Sequence, residues 1–193
     1  MPFLFGTKHA ERTSARRKPL RIFGPQGLRS ILNAFDAANE YDLFEQPFPV
    51  DVVEVEHLDE FEILPEIRAA VCKTPHTAES LALHLRQRDA TSLVYTADTA
   101  YSDVIAAFAR NVDMLMTECS FVRDKPVEKH MELAEAMHLI RKARAKNALL
   151  THLYPVWDGV DFEEEIQKFE PLCPVIQAFD GLRVKIERKT VKG

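Results

Sequence analysis

The sequence predicts an α/β domain in which a sheet and helices form layers. From residue 20 onward, short β-type runs alternate with amphipathic helical runs, and the alternation is most regular after residue 102. A hydrophobic content of 46% over 193 residues is enough for one domain with a substantial core. We therefore expect a single α/β domain that covers residues 1–193.

Strands dominate the first half of the prediction. They cover residues 20–23, 50–56, 61–64, 67–73, 80–87 and 92–96. Gly24 and Pro25 end the first strand, and the next apolar residues recur at i, i+3, i+4 and i+7. This spacing predicts a helix with one apolar stripe against a core, made of Leu28, Ile31, Leu32 and Phe35. The last three strands follow one another without a helix, which predicts an antiparallel meander.

The second half alternates between helices and strands. Ser102 is expected to cap a helix at its start, and the apolar stripe of that helix is Val104, Ile105 and Phe108. A longer helix is predicted over residues 131–146, because glutamates come early in it and basic residues late, as the helix dipole favours. Strands at 112–118 and 147–151 flank it. A short helix at 162–169 follows, and Asp180-Gly181 predicts a closing hairpin of two strands.

Charge and composition exclude several classes of protein. A net charge of −5 is unfavourable for a surface that mainly binds nucleic-acid phosphates. The basic stretch at residues 12–18 is interpreted as a solvated loop, with a local phosphate-facing patch as the alternative. The three cysteines show no paired spacing, which predicts reduced thiols and a cytoplasmic location. No apolar run approaches the roughly 18 residues of a membrane span, so no membrane partner is expected.

Three polar interruptions at strand ends offer the residues that can do chemistry. Each follows an apolar, β-type run and contains one side chain that can bind a metal: His76, Asp98 and His152. Divalent zinc, manganese and iron accept imidazole nitrogens and carboxylates as ligands. Taken singly, each residue also has a structural interpretation, as a hydrogen-bonded histidine or a turn aspartate. Their shared position after strands predicts that one sheet edge brings them together.

The order of the sequence motifs adds a second line of argument. Residues 68–98 contain a strand ending at a histidine, a serine-containing strand, and a strand closing on Tyr-Thr-x-Asp-Thr. The strand at 112–119, Lys129-His130-Met131 with its alanine-rich helix, residues 149–155 and residues 19–25 complete the series. In this order the motifs resemble those of the metallo-β-lactamase superfamily, ribonuclease Z-like branch. The resemblance implies an αββα sandwich whose N-terminal part is missing.

The same resemblance implies a metal-dependent hydrolase. His76 would bind a first metal, His152 a second, and Asp98 would bridge them, with zinc expected first and manganese or iron as alternatives. A metal-activated hydroxide would attack phosphodiesters, either small molecules or RNA. His130 matches a histidine that helps the leaving group depart, and a hydrogen-bonding role at a helix start is an equal alternative. The other histidines are interpreted as structural or exposed: His9, His57, His84 and His138.

One motif of that family, His-x-His-x-Asp-His, is absent from the sequence. Because residues 3–6 resemble the helix that follows it, we expect either a truncated product or a natural short form. Each metal would keep two ligands from this chain, whereas zinc usually has about four. We therefore expect little or no activity, and a homo-oligomer formed through an exposed apolar sheet edge. The alternative is a non-catalytic binding or oligomerisation module.

Overall fold

The computed structural model describes residues 2–39 and 41–186, and within these residues helices and strands alternate as predicted. The helices are α1 (Pro2–His9), α2 (Leu28–Asn39), α3 (Asp103–Phe108), α4 (Leu133–Ala143) and α5 (Phe162–Gln167). The strands are β1 (Leu20–Pro25), β2 (Val50–Val55), β3 (Glu60–Leu64), β4 (Ile67–Lys73), β5 (Leu81–Gln87), β6 (Ser92–Tyr95), β7 (Met114–Glu118), β8 (Ala148–Thr151) and β9 (Val175–Gln177). The α/β class is confirmed.

The chain divides into two compact units, Met1–Glu56 and His57–Gly193. In the first unit, β1 and β2 pair in parallel and pack with α1 and α2 around a small core of Leu4, Leu32, Leu43 and Val52. The predicted stripe of α2 is only partly correct. Ile31 and Phe35 are 52% and 51% exposed, because the helix meets this small core along Leu28 and Leu32.

The second unit contains the larger sheet, whose strand order within the described residues is β3-β4-β5-β6-β7-β8-β9. Strands β3, β4, β5 and β6 pair antiparallel in succession, and the part from β4 to β6 confirms the predicted meander. From β6 to β9 the pairing is parallel. Since β4 and β6 both run antiparallel to β5, the carboxyl ends of β4, β6, β7 and β8 all lie along one edge of the sheet.

The core of the second unit confirms the prediction for the long helix. The buried face of α4 consists of Leu133, Ala136, Met137, Leu139, Ile140 and Ala143. A reciprocal capping box between Glu132 and Glu135 begins this helix. In α3, Ile105 is buried as predicted, whereas Val104 is 56% exposed and lies outside the stripe. Cys72 and Cys119 are buried, and every cysteine of the chain is a free thiol.

The predicted hairpin at Asp180-Gly181 is wrong within the described residues. The strand before it, β9, pairs in parallel with β8. Gly181 has a φ of 87°, and a single turn is closed by the Leu182 N–H, which donates to the Phe179 carbonyl at 3.0 Å. Residues 182–186 form no strand after this turn, and residues 187–193 lie outside the described part. The Asp-Gly pair thus makes a local turn without a second strand.

A search of the described helices for one both long and apolar enough to cross a bilayer finds none.

Replacing Ser102 with alanine is expected to lower the free energy of unfolding by about 1 kcal/mol. The Ser102 hydroxyl accepts a hydrogen bond from the Val104 N–H at 3.2 Å and so caps α3. Alanine leaves that backbone donor without this partner. Urea denaturation measures the loss, and Ser102→Thr, which keeps the hydroxyl, is the matched control. Equal stability of the alanine and threonine variants would contradict the capping role.

Candidate metal centre

The sheet edge formed by the carboxyl ends of β4, β6 and β8 brings the predicted residues together. His76 follows β4, Asp98 follows β6, and His152 directly follows β8. The segments are also tied to one another: the Thr74 hydroxyl donates to the Asp98 carbonyl at 3.2 Å. Because these strands run in the same direction, their ends place polar side chains at a common point, as the strand-end argument predicted.

His76, Asp98 and His130 form the tightest group of potential ligands at this edge. One ligand atom from each lies within 4.8 Å of the other two. The rings of His76 and His130 make an edge contact, with centroids 4.9 Å apart. His130 is buried, whereas His76 and Asp98 are partly exposed. Two imidazoles and one carboxylate suit a divalent zinc, manganese or iron ion, so the residues fit the metal that the sequence predicts.

His152 joins this group through Asp98. Its Nε2 lies 3.5 Å from a carboxylate oxygen of Asp98, and its ring centroid is 5.3 Å from that of His130. The backbone is left-handed at His152, with a φ of 56°, and at Ala97, with a φ of 54°. Residues other than glycine rarely adopt this backbone conformation, and where they do, the position is often part of a functional site. The structure therefore assembles all four predicted site residues, with His130 in the close group and His152 beside Asp98.

Glu118, at the end of β7, is a site residue that sequence reasoning missed. Its carboxylate is 1% exposed. One oxygen accepts from the Thr99 N–H at 2.6 Å and from His130 Nδ1 at 2.9 Å. The other accepts from the Ser120 hydroxyl at 2.8 Å and from the Met131 N–H at 3.0 Å. The available signal was a glutamate that ends an otherwise apolar strand, since a buried charge at that point needs several donors.

Hydrogen-bond partners at Nδ1 orient the rings of His76 and His130. A carboxylate can only accept, so Nδ1 of His130 carries the proton that it donates to Glu118. Nδ1 of His76 lies 3.3 Å from the Ser80 hydroxyl. With both Nδ1 atoms engaged, the Nε2 atoms are the nitrogens left to face a ligand. The Tyr154 hydroxyl lies 3.5 Å from Nε2 of His130.

Electrostatics around the site disfavour a cysteine nucleophile. Burial, followed by the negative charge of Glu118, raises the pKa of the Cys119 thiol far above its ordinary value. Burial, followed by the charges of Asp98 and Glu118, also raises the pKa of the Tyr95 phenol. Both groups therefore remain protonated near neutral pH, and a protonated thiol is a poor nucleophile. The chemistry available at this edge belongs to the histidines and the carboxylates.

Comparisons with known proteins identify the family of this chain. A family model described as "Beta-lactamase superfamily domain" matches residues 7–153. The chain is 36% identical over 83 residues to the protein named "Probable metallo-hydrolase YhfI" of Bacillus subtilis, which covers 42% of this chain and 34% of that protein. It is 31% identical over 103 residues to ribonuclease Z of the same organism, covering 50% of this chain and 33% of the relative. The matched region is thus about one third of each relative's length.

Solved structures show the same fold. The crystal structure of the metallo-β-lactamase fold protein YhfI from Bacillus subtilis matches with a TM-score of 0.68 and 23% identity, over 94% of this chain and 69% of that one. A diphosphatase of the PhnP family matches with a TM-score of 0.66 and 19% identity, over 92% and 62% of the two chains. The predicted fold class is confirmed, and the chain belongs to the metallo-β-lactamase superfamily of metal-dependent hydrolases.

Proposed function

We propose that this chain carries the site of a metal-dependent phosphodiesterase. The observation that supports it most is the group of His76, Asp98 and His130 ligand atoms, which lie within 4.8 Å of one another at the sheet edge. The ribonuclease Z and diphosphatase matches point to phosphorus–oxygen bonds as the substrate class. The net charge of −5 favours a small phosphodiester over RNA.

Zinc is the metal that we propose first, with manganese or iron as alternatives. His76, Asp98 and His152 would hold it, and His130 would donate a proton to the leaving group. The family resemblance gives the ligand role to His152 and the proton role to His130. A bound divalent ion supplies Lewis acidity and an activated water.

The surroundings of His130 allow proton transfer at one nitrogen. Glu118 holds Nδ1 at 2.9 Å and thereby fixes the ring. Nε2 is then the atom that can accept or release a proton, and the Tyr154 hydroxyl lies next to it. Proton transfer to a departing alkoxide by a positioned imidazole contributes typically about 10²–10⁴ in rate.

Metal content tests the binding half of the proposal. We expect the purified chain, prepared without chelator, to hold zinc, manganese or iron near one equivalent by plasma mass spectrometry. A His76→Ala/Asp98→Asn double variant is expected to lose it, because both changes remove donors of the close group. His138→Ala is the matched control, since this histidine is exposed on α4. An equal metal content in the chain and in the double variant would refute the site.

Turnover tests the catalytic half. We expect this chain to hydrolyse bis(p-nitrophenyl) phosphate well below about 1 per second, because the described residues offer few donors for each metal. Turnover at or above that rate would contradict the expectation. A β-lactam and a thioester are compared in parallel, because one fold can serve several substrates. Bound metal without hydrolysis of any of them would favour the alternative, a non-catalytic binding module.

We also propose that the chain forms homo-oligomers. Phe3 and Phe5 of α1 are 64% and 47% exposed, and large exposed apolar side chains favour association. Light scattering coupled to gel filtration, over a range of protein concentrations, measures the molar mass. A constant monomer mass at all concentrations would contradict this part of the proposal.

A further inference from the structure

We propose that α1 and the basic stretch at residues 12–18 form a surface that docks onto bilayers containing anionic phospholipids. The expectation of no membrane partner rested on the lack of a spanning segment, and docking at the surface does not require one. Three features of the first unit support the proposal: the distribution of charge, the outward face of α1, and the arrangement of the basic side chains.

Charge is distributed unevenly along the chain. Residues 1–30 contain seven lysines and arginines and one glutamate, which gives a formal charge of +6. Residues 31–193 contain the other 18 basic and 29 acidic residues, which gives −11. A planar anionic surface can contact the basic part and leave the acidic part in water. An extended nucleic acid would also meet the acidic part, so the asymmetry favours a membrane.

The outward face of α1 carries no lysine, arginine or carboxylate. Leu4 is 4% exposed and faces the core of the first unit. Since successive residues of a helix are about 100° apart, Phe3 and Phe5 flank Leu4, and Gly6 and His9 lie on the far side. Phe3 and Phe5 are 64% and 47% exposed, and Gly6 and His9 are exposed as well. Exposed apolar side chains beside basic ones are typical of helices that lie in the membrane interface.

Backbone carbonyls hold two arginines of the basic stretch in place. Nε and Nη2 of Arg16 donate to the carbonyls of Lys18 and Pro19, at 2.8 and 2.9 Å. Nη1 of Arg17 donates to the carbonyls of Ser14 and Arg16, each at 3.0 Å. A guanidinium has five N–H donors, so both side chains keep donors for the phosphate oxygens of a lipid headgroup. Little side-chain entropy is then lost when the headgroup binds.

Ion pairing distinguishes the basic stretch from the second unit. Seven lysines and arginines of the second unit pair with carboxylates: Arg68, Arg88, Arg123, Lys125, Lys142, Lys146 and Lys168. Among the described residues, no carboxylate lies within 4.0 Å of a basic group of residues 12–18. The Thr13 hydroxyl donates to the Thr7 carbonyl of α1, which joins the basic stretch to the helix. The unpaired cations and the apolar face therefore belong to one packed unit.

Cosedimentation of the full chain with vesicles tests the proposal. The vesicles contain phosphatidylcholine alone or phosphatidylcholine with phosphatidylserine. We expect binding to the anionic vesicles, little binding to the neutral ones, and release at about 1 M salt, where the Debye length is about 3 Å. Binding to neither kind of vesicle, or equal binding to both, would overturn the proposal.

Variants without two of the charges locate the surface. Arg16→Gln/Arg17→Gln is expected to weaken binding to the anionic vesicles about 25-fold, because each basic residue near the membrane contributes about fivefold in affinity. Arg88→Gln/Arg123→Gln is the matched control, since it changes the net charge equally at exposed positions of the second unit. It should bind within about threefold of the unaltered chain, because distant charges are screened. Equal losses in the two folded variants would overturn the proposal.

Tryptophan reporters test the contact of α1 with lipid. Phe3→Trp and Phe179→Trp introduce an indole at positions that are 64% and 67% exposed, the second of them in the second unit. The native Trp157 is 5% exposed, so the unaltered chain provides the baseline. We expect brominated phosphatidylcholine in anionic vesicles to quench the emission of Phe3→Trp and not that of Phe179→Trp. Vesicle-bound Phe3→Trp without quenching, or equal quenching of both variants, would overturn the proposal.

Two other occupants of this surface would give different results. Single-stranded RNA is tested by fluorescence anisotropy in the presence of EDTA, and a second copy of the chain by light scattering. RNA binding or self-association by a chain that does not bind anionic vesicles would assign the surface to that occupant and overturn the proposal. Either result leaves the proposed metal-dependent function standing, because metal content is measured without vesicles.

Discussion

Replacing Glu118 with glutamine is expected to lower the free energy of unfolding by about 3–5 kcal/mol. The carboxylate is 1% exposed and accepts four hydrogen bonds from described residues. Two of the donors are backbone N–H groups, those of Thr99 and Met131, and one faces each oxygen. Whichever way the new amide is turned, its NH₂ group meets one of these N–H groups, which then loses its acceptor.

The size of this effect follows from burial. A hydrogen bond to a charged group contributes about 1.5–3 kcal/mol, and a buried donor left unpaired costs about 1–3 kcal/mol. The change removes the charge from every bond and leaves at least one backbone donor unpaired. Because Thr99 adjoins Asp98 and Met131 adjoins His130, we also expect zinc affinity to fall by about 10–100-fold.

Chemical denaturation of the unaltered chain and of Glu118→Gln measures the loss of unfolding free energy. Glu128→Gln is the matched control, because Glu128 is exposed in the loop before α4 and the substitution is the same. The control is expected to change stability by less than about 0.5 kcal/mol. A Glu118→Gln variant as stable as the control would show that the carboxylate does not hold these segments together.

Acid is expected to destabilise the protein through His84, by about 3 kcal/mol between pH 6.5 and pH 4. Burial, followed by the positive charge of Arg86, lowers the pKa of His84 to about 4, and Glu60 opposes this in part. The unfolded chain takes up a proton on this ring near pH 6.5, whereas the folded chain does so only near pH 4. The contribution of His84 to stability is therefore complete above pH 6.5 and is lost as the pH falls.

The contacts of His84 explain why the folded state resists the proton. The Arg86 Nε–H donates to Nε2 of His84 at 3.4 Å, so that nitrogen must stay unprotonated. Nδ1 is buried and has no hydrogen-bond partner among the described residues. The ring makes an edge contact with Phe108, with centroids 5.5 Å apart. A second proton would place a positive charge in this apolar contact and next to a guanidinium.

Unfolding free energies of the chain and of His84→Leu, measured from pH 8 to pH 4, test this prediction. Subtracting the unfolding free energies of one protein from those of the other cancels the contribution of the titratable groups that both proteins share. We expect His84→Leu to lose about 3 kcal/mol less than the unaltered chain over this interval. His138→Leu, at an exposed histidine on α4, is the control and should follow the unaltered chain. Parallel curves for all three proteins would contradict the role of His84.

The fold was predictable where local patterns and packing agree. The spacing of apolar residues and the order of charges predicted α4, and uninterrupted β-type runs predicted the meander of β4 to β6. Prediction failed where it required a partner that the pattern does not specify. Ile31 and Phe35 have helical spacing but lie beyond the small core of their unit. Asp180-Gly181 has turn chemistry, but a hairpin also needs a second strand, and residues 182–186 do not form one.

The grouping of the candidate site residues was predictable from strand ends and motif order. The buried Glu118 carboxylate next to them was not. His76, Asp98, His130 and His152 come together at one sheet edge. Glu118 was missed because its place at the end of an apolar strand indicates burial but does not specify the donors that would surround it. Its donors come from three separate segments of the chain, and only the folded structure brings them to one carboxylate. The single-domain expectation and the assignment of each site residue's role remain predictions.

The Glu118 carboxylate has a further consequence for how the protein would take up an ion. Its hydrogen bonds hold the backbone beside Asp98 and beside His130 through protein groups alone, so we expect these donors to be ordered before an ion arrives. Binding then has no loop to order, and the conformational entropy that limits affinity in flexible sites is largely absent. Association should proceed with a small change in heat capacity and at a rate set by dehydration of the ion. We expect the ion to bind to and dissociate from an already folded protein, so that folding does not require the metal.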